Sequence, residues 1–275
     1  VPTASGEEKM KIKVAYRSYP GIEKIETEPP TQGWQAPEFD DSSWARATGA
    51  LRLGGRMIRS VFNIVALPGL DKAVAEVSIR GRFNVTNPAA VQDGELLLYY
   101  RGGAIVYLNG KEIARKDVVD SGGRRHGAAY DKDAWVGEDG KLLEAEFRMQ
   151  AAIKKGDKDK ERRLELRSRS LGAVKVPASA LRKGVNVLAV QLLRSPYPAE
   201  AANGVDWVPI ALNKLELRLP GDGVQVNVAR PEGFQVWTQD VNDRTIAYDF
   251  ADPNEALRPV VLTGARNGAF SGVVV

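Results

Sequence analysis

Alternation of apolar and polar residues is the clearest pattern along this chain. It is cleanest in Val77–Val85, where the odd-numbered positions are mostly apolar, and it recurs at Lys9–Tyr16 and Leu212–Leu219. A period of two is typical of strands that bury one face. Long helical periodicity is almost absent, and short Val-rich runs recur between turn-forming residues. The pattern therefore predicts an all-β protein.

Two local signals fix where individual strands begin and end. The apolar run Ile105–Leu108 is followed by Asn109-Gly110, the dipeptide best suited to a two-residue hairpin turn with positive φ at both positions. Further on, Gly184 ends a short helical turn and Val185–Leu193 is strongly apolar. Such a run is typical of a strand buried on both faces.

The stretch from Asp117 to Ala173 is too long for a simple connection and predicts an insertion. Leu142–Met149 and Arg163–Ser168 are its strand candidates. Between them, Lys154–Arg163 is a mixed-charge run, which we interpret as a solvated hairpin tip. We expect this region to be less ordered than the rest of the protein.

Three segments, taken in order, resemble a known family. They are Phe39–Trp44, Ala104–Ile113 and Val176–Val190. Together they resemble the galactose-binding-like jelly-roll domains that accompany glycoside hydrolases, such as the sugar-binding domain of family 2. The resemblance implies a jelly-roll β-sandwich that serves as a non-catalytic carbohydrate-binding or accessory module of a larger carbohydrate-active protein. It also implies a secreted or periplasmic bacterial protein whose catalytic domain is an intramolecular partner.

The domain organisation predicted on this basis has three parts. Residues 1–30 form a leader and first strand, residues 31–220 the jelly-roll domain with its insertion at about 117–173, and residues 221–275 a linker and the first strands of a second β-sandwich. The end, Ala265–Val275, resembles the strand that opens the β-sandwich before the barrel in family 123-like glycoside hydrolases. Gly268 replaces the glutamate of that pattern.

Composition excludes several kinds of chemistry. The chain has no cysteine, so disulfides, thiolate metal sites and a cysteine nucleophile are excluded. His126 is the single histidine and cannot supply a two-histidine zinc site. The sequence has no P-loop, no dinucleotide-binding fingerprint and no Gly-x-Ser-x-Gly elbow. It also has no apolar run long enough to span a bilayer.

The net charge of +4 is small but unevenly distributed. From Lys111 to Lys183 there are 19 Lys and Arg against 13 Asp and Glu. Such a basic lobe can attract anionic glycans, or it can be an ordinary solvated surface. The chain lacks the aromatic and basic repeat of a nucleic-acid binder, so we predict no nucleic-acid partner.

Aromatic side chains are the best candidates for carbohydrate contact, because sugars stack their C–H faces on flat rings. Trp135 and Trp207, supported by Tyr130 and Tyr197, are the predicted carbohydrate-binding residues. Two alternatives remain open. The rings of Tyr130 and Trp135 can instead fasten the insertion, and Trp207 can cap the sandwich. Trp44 is predicted to be a core residue.

No cofactor is required by any motif. The family resemblance implies that a structural calcium ion could bind, and Asp40, Asp41 and Asp206 are its candidate ligands. No catalytic residue is assigned. Two functional alternatives stay open: a structural packing module without ligand, and part of a glycoside hydrolase that uses a carboxylate pair such as Asp40-Asp41.

Overall fold

The structure is a computed structural model of the chain. It describes residues 13–14, 17–18, 29–42, 44, 75–143, 146–196, 210–225, 232–239 and 250–257, together with positions 259–260, 262, 264, 266, 269 and 271–275. Antiparallel strands are the main regular structure among these residues, which confirms the predicted all-β class at that level. The strands, in chain order, are β1 (Lys13–Val14), β2 (Arg17–Ser18), β3 (Glu76–Val85), β4 (Gly94–Arg101), β5 (Gly103–Leu108), β6 (Lys111–Lys116), β7 (Val118–Ser121), β8 (Arg124–Gly127), β9 (Arg169–Val176), β10 (Gly184–Leu193), β11 (Ala211–Arg218), β12 (Val224–Gln225), β13 (Thr238–Gln239) and β14 (Val273–Val274).

Two antiparallel sheets contribute to one hydrophobic core. The larger sheet has the strand order β12-β3-β10-β5-β6, and the smaller has the order β11-β4-β9. Alternate residues of each strand point toward the shared core, because successive side chains of a strand lie on opposite faces. The buried core side chains include Leu96, Leu98, Tyr100, Val106, Leu108, Val190, Leu192 and Leu212.

Strand β10 is the centre of the larger sheet. It pairs with β3 on one side and with β5 on the other, and all its residues from Asn186 onward are buried. This confirms the strand predicted at Val185–Leu193. The predicted turn is confirmed as well, since Asn109 and Gly110 have φ of 51° and 83° between β5 and β6.

Strand β12 forms the far edge of the larger sheet by pairing with β3. Its residues follow Pro220, so the sheet extends past the position predicted as the end of the jelly-roll domain. The turn before β12 packs tightly. A side chain at Gly223 would approach the carbonyl oxygen of Asn87 to 2.1 Å.

The strands predicted in the insertion are wrong, because the chain there forms two helices. Helix α1 spans Glu146–Ile153 and helix α2 spans Lys158–Glu165. The carboxylate of Asp157 accepts a hydrogen bond from the backbone N–H of Lys160 and so caps α2. The run interpreted as a hairpin tip is therefore largely the start of a capped helix.

Candidate functional site

The outer face of the five-stranded sheet, opposite the shared core, carries a second hydrophobic cluster. Ile105, Tyr107, Val187, Ala189 and Leu193 are its buried sheet residues. The segment of residues 29–42 and 44, here called the aromatic segment, lies on this face.

Ring contacts hold the aromatic segment against the sheet. Trp34 is 4% exposed, and its ring centroid lies 6.0 Å from that of Tyr107 in an edge-on arrangement. Trp44 packs 5.9 Å from Trp34 and 5.6 Å from Phe39. Trp44 is only half-buried, so the ring at the centre of the cluster is that of Trp34 rather than the predicted Trp44.

A buried ion pair fastens the same segment to strand β3. The carboxylate of Asp41 accepts a hydrogen bond from Nε of Arg80 at 2.7 Å and another from Arg82. Arg80 also donates to the carbonyl oxygens of Trp34 and of Ala36, the latter at 2.9 Å. The side chains of Arg80 and Asp41 are almost fully buried. These bonds and the opposite charge of Asp41 offset the cost of burying the Arg80 guanidinium, although its Nη2 has no hydrogen-bond partner among the described residues.

This pairing bears on the predicted calcium ligands. Both carboxylate oxygens of Asp41 already accept hydrogen bonds from arginine, whereas Asp40 is exposed and caps the backbone N–H of Ser42 at 2.9 Å. Asp206 lies outside the described residues. Within the described part of the chain, no three acidic or histidine side chains are grouped so that they could hold a metal ion. A calcium site at these residues stays a prediction.

Beside the aromatic segment, polar side chains form a connected row across the outer face. We call Glu76, Gln191, Tyr107 and Arg125 the polar row. Gln191 donates to Glu76 at 2.7 Å, and its amide oxygen accepts from the Tyr107 hydroxyl and from Arg125, each at 3.4 Å. Gln191 and Tyr107 are both 8% exposed. Burial raises the pKa of Tyr107, so this hydroxyl stays a hydrogen-bond donor at neutral pH.

The predicted carbohydrate residues Tyr130 and Trp135 are brought together, but Trp135 is buried and Tyr130 is half-buried. Trp135 is 2% exposed, with the Tyr130 ring edge-on at 5.5 Å and the Arg167 guanidinium 5.1 Å above its own ring. The guanidinium of Arg169 lies 3.7 Å from the centroid of Tyr130. Trp135 is therefore closed to a ligand in this arrangement, and Arg169 covers one face of the half-buried Tyr130 ring. The sugar-stacking role of both residues stays a prediction. Tyr197 and Trp207 lie outside the described residues.

Arg169 is an organising residue that sequence reasoning missed. Its guanidinium donates to the backbone carbonyl oxygens of Gly102, Ala128 and Ala129 at 2.8–3.0 Å. It also donates to the hydroxyl of Ser195 at 3.1 Å. These bonds join the end of β4, the segment after β8 and the segment after β10. A single arginine at the start of a strand carries no sequence motif, so its role could not be found from the pattern.

The polar row was also missed, although one signal was present. Gln191 is a polar residue inside the apolar run Val187–Leu193. A buried amide needs hydrogen-bond partners, so its position predicts a polar neighbour on the adjacent strands. The identity of that neighbour, Glu76, depends on the long-range pairing of β3 with β10.

Among the helices that the structure describes, none is long and apolar enough to cross a membrane. Comparison with known proteins finds no family model that matches the chain and no similar protein among those that have been curated.

Proposed function

We propose that this chain is a non-catalytic accessory module of a larger, secreted carbohydrate-active protein, built on the galactose-binding-like jelly-roll plan. The observation that carries this proposal is the attachment of the aromatic segment to the outer sheet face. That segment contains Phe39–Trp44, which is the first part of the family resemblance. Its Asp41 and its tryptophans have structural contacts that explain why an aspartate and aromatic residues occur together there.

The same contacts argue against the glycoside hydrolase alternative at Asp40-Asp41. A retaining or inverting mechanism needs two carboxyl groups that face a substrate, one of which carries a proton. Asp41 instead pairs with two guanidinium groups, an environment that favours the ionised carboxylate. Asp40 is exposed at a turn. We therefore assign this pair to the structure of the segment.

Carbohydrate contact is supported by the polar row. Neutral sugars are recognised through hydroxyl groups, each of which can both donate and accept a hydrogen bond. Glu76 supplies an acceptor and Arg125 supplies donors at the more exposed ends of one connected set, and the buried Gln191 and Tyr107 hold the two ends in place. Such preformed sets lower the cost of ordering side chains on binding.

The structural packing alternative has its own supporting observation. Several large apolar side chains near the end of the chain are strongly exposed, notably Phe234 at 94%, Leu257 at 63% and Leu262 at 53%. Where such side chains form a contiguous patch, they are typical of a surface that contacts another domain or protein. An accessory module that also packs on a neighbouring catalytic domain would account for both observations.

A glycan array probed with the intact chain tests the proposal. We expect binding to at least one class of polysaccharide and no hydrolysis of chromogenic glycosides. Glu76→Gln should weaken binding about ten-fold, because it removes the charged acceptor of the row. Glu95→Gln, on β4 of the other sheet, is the matched control and should bind as the parent does. Hydrolysis would overturn the non-catalytic assignment, and absence of binding to every glycan would leave the structural packing alternative.

A further inference from the structure

The hairpin formed by β7 and β8 has two faces of different character. The strands pair in the register Asp120↔Arg125 and Ser121↔Arg124, joined by the two-residue turn Gly122–Gly123. Asp120 and Arg125 point toward the five-stranded sheet, where they bond Arg115 and Gln191. Because side chains alternate along a strand, Ser121, Arg124 and His126 share the opposite, outward face.

Two hydrogen bonds fix the imidazole on this outward face. Nδ1 of His126 lies 2.9 Å from the carbonyl oxygen of Gly127, and Nε2 lies 3.0 Å from the hydroxyl oxygen of Ser121. A carbonyl oxygen can only accept, so Nδ1 carries a hydrogen and Nε2 of the neutral ring accepts from Ser121. Gly127 is itself closely packed, since a side chain there would approach the backbone nitrogen of Gly103 to 2.6 Å.

Arg124 stands directly across from Ser121 and is exposed. Within the described part of the chain its guanidinium makes no ion pair or hydrogen bond. The nearest carboxylate along the hairpin, Asp120, faces the other way and is held by Arg125 at 2.9 Å and Arg115 at 3.2 Å. A shallow depression at the hairpin tip is lined by residues 120–125.

We propose that this outward face binds an anionic group of a glycan, either the carboxylate of a uronic acid or a sulfate ester. The inference rests on the proposed function and specifies the class of carbohydrate. Arg124 supplies a forked set of donors that fits two oxygens of such an anion. The excess of basic residues between Lys111 and Lys183 adds long-range attraction for an acidic polymer.

The hydrogen bond between Ser121 and His126 holds both side chains beside Arg124 on this face. Asp117 and Asp120 have their own arginine partners, so neither carboxylate competes with a bound anion for Arg124.

Calorimetric titration of the intact chain with defined oligosaccharides tests this inference. The probes are an oligogalacturonate, a sulfated galactan oligosaccharide and a neutral galactan oligosaccharide. We expect tighter binding of an anionic probe than of the neutral one, and the two anionic arms distinguish carboxylate from sulfate. Arg124→Ala should weaken binding of the anionic probe about ten-fold or more. Lys111→Ala, an exposed cation on β6, is the matched charge control and should have little effect.

Four outcomes would overturn the inference. Equal losses of affinity for the anionic probe in Arg124→Ala and Lys111→Ala would mean that the basic surface attracts the probe diffusely, without a defined anion site. Equal binding of the neutral and anionic probes would exclude an anion site while leaving the proposed function intact. Binding of duplex DNA more tightly than of any oligosaccharide would assign the basic surface to nucleic acid. Absence of binding to every glycan, neutral or anionic, would defeat this inference together with the glycan-binding form of the proposed function.

Discussion

Asp41 is the residue on which the aromatic segment depends most. Asp41→Asn would leave the guanidinium of Arg80 buried without its full countercharge. Breaking a buried pair by removing one partner costs about 3–5 kcal/mol, so we expect a loss of that order in the free energy of unfolding. Urea denaturation followed by tryptophan fluorescence measures it. Asp40→Asn is the matched control, because Asn keeps the oxygen that accepts from Ser42. Equal stability of both variants would mean that the pair contributes nothing.

Trp135 gives a second prediction at the residue scale. Its ring is buried beneath Tyr130 and Arg167, so Trp135→Ala should lower the free energy of unfolding by about 3–5 kcal/mol. A sugar platform on an open surface would behave differently, losing ligand affinity with little change in the melting temperature. Thermal unfolding and glycan binding, measured on the same variant, separate the two roles. An unchanged melting temperature would contradict the buried placement.

Residues differ in how far the sequence could predict them. Asn109-Gly110 was predicted correctly because a hairpin turn depends on the φ preferences of two adjacent residues. The pairing of Asp41 with Arg80 spans 39 positions and depends on where the segment docks on the sheet. No local sequence pattern indicates that these two residues pair. The sequence therefore predicted individual residues and elements of the candidate site, but not the contacts between them.

At the scale of elements, the insertion shows where alternation misleads. Arg163, Leu164, Glu165 and Leu166 alternate as a strand would, yet they end helix α2 and its cap. Leu, Arg and Glu are good helix formers, and Asp157 supplies the N-cap. Arg163 is buried because it donates to the carbonyl oxygen of Val136 at 2.8 Å. Four residues are too few for a period of two to outweigh these preferences.

The N-cap of α2 provides a direct test at this scale. Asp157→Ala removes the acceptor for the backbone N–H of Lys160 and should destabilise the helix by about 0.5–2 kcal/mol. Faster hydrogen exchange of the amides in α2, without a change in β10, would report this loss. Asp157→Asn keeps a capping oxygen and should exchange nearly as the parent does. Equally fast exchange in both variants would point to lost charge rather than to a lost cap.

At the scale of the whole molecule, the sequence predicted where the strands lie in the chain better than which strands pair with each other. The all-β class follows from local periodicity, and β3, β5, β10 and β11 lie close to their predicted positions. The sheet order β12-β3-β10-β5-β6 joins strands that are far apart in the chain. Such pairings are set by complementary burial across the shared core, which a single sequence does not display.

Tyrosine burial makes the stability of the whole molecule sensitive to alkaline pH. Burial raises the pKa of Tyr100, Tyr107 and Tyr130, and the hydrogen bond from Tyr100 to Asp117 raises that of Tyr100 further. Below pH 10 these groups are neutral in the folded and unfolded states, so their contribution to stability is fully present. Above pH 10 the unfolded chain releases protons that the folded chain retains, and the free energy of unfolding must fall.

Urea denaturation between pH 8 and pH 11 measures this alkaline loss. We expect the parent protein to lose stability steadily above pH 10. Tyr100→Phe should be less stable than the parent at pH 8, because Asp117 loses its hydrogen-bond donor, but its further decline above pH 10 should be shallower. Tyr99→Phe is the matched control, since the neighbouring Tyr99 ring is 46% exposed, and it should follow the parent at every pH. If the parent and Tyr100→Phe decline in parallel above pH 10, the buried hydroxyl of Tyr100 does not drive alkaline unfolding.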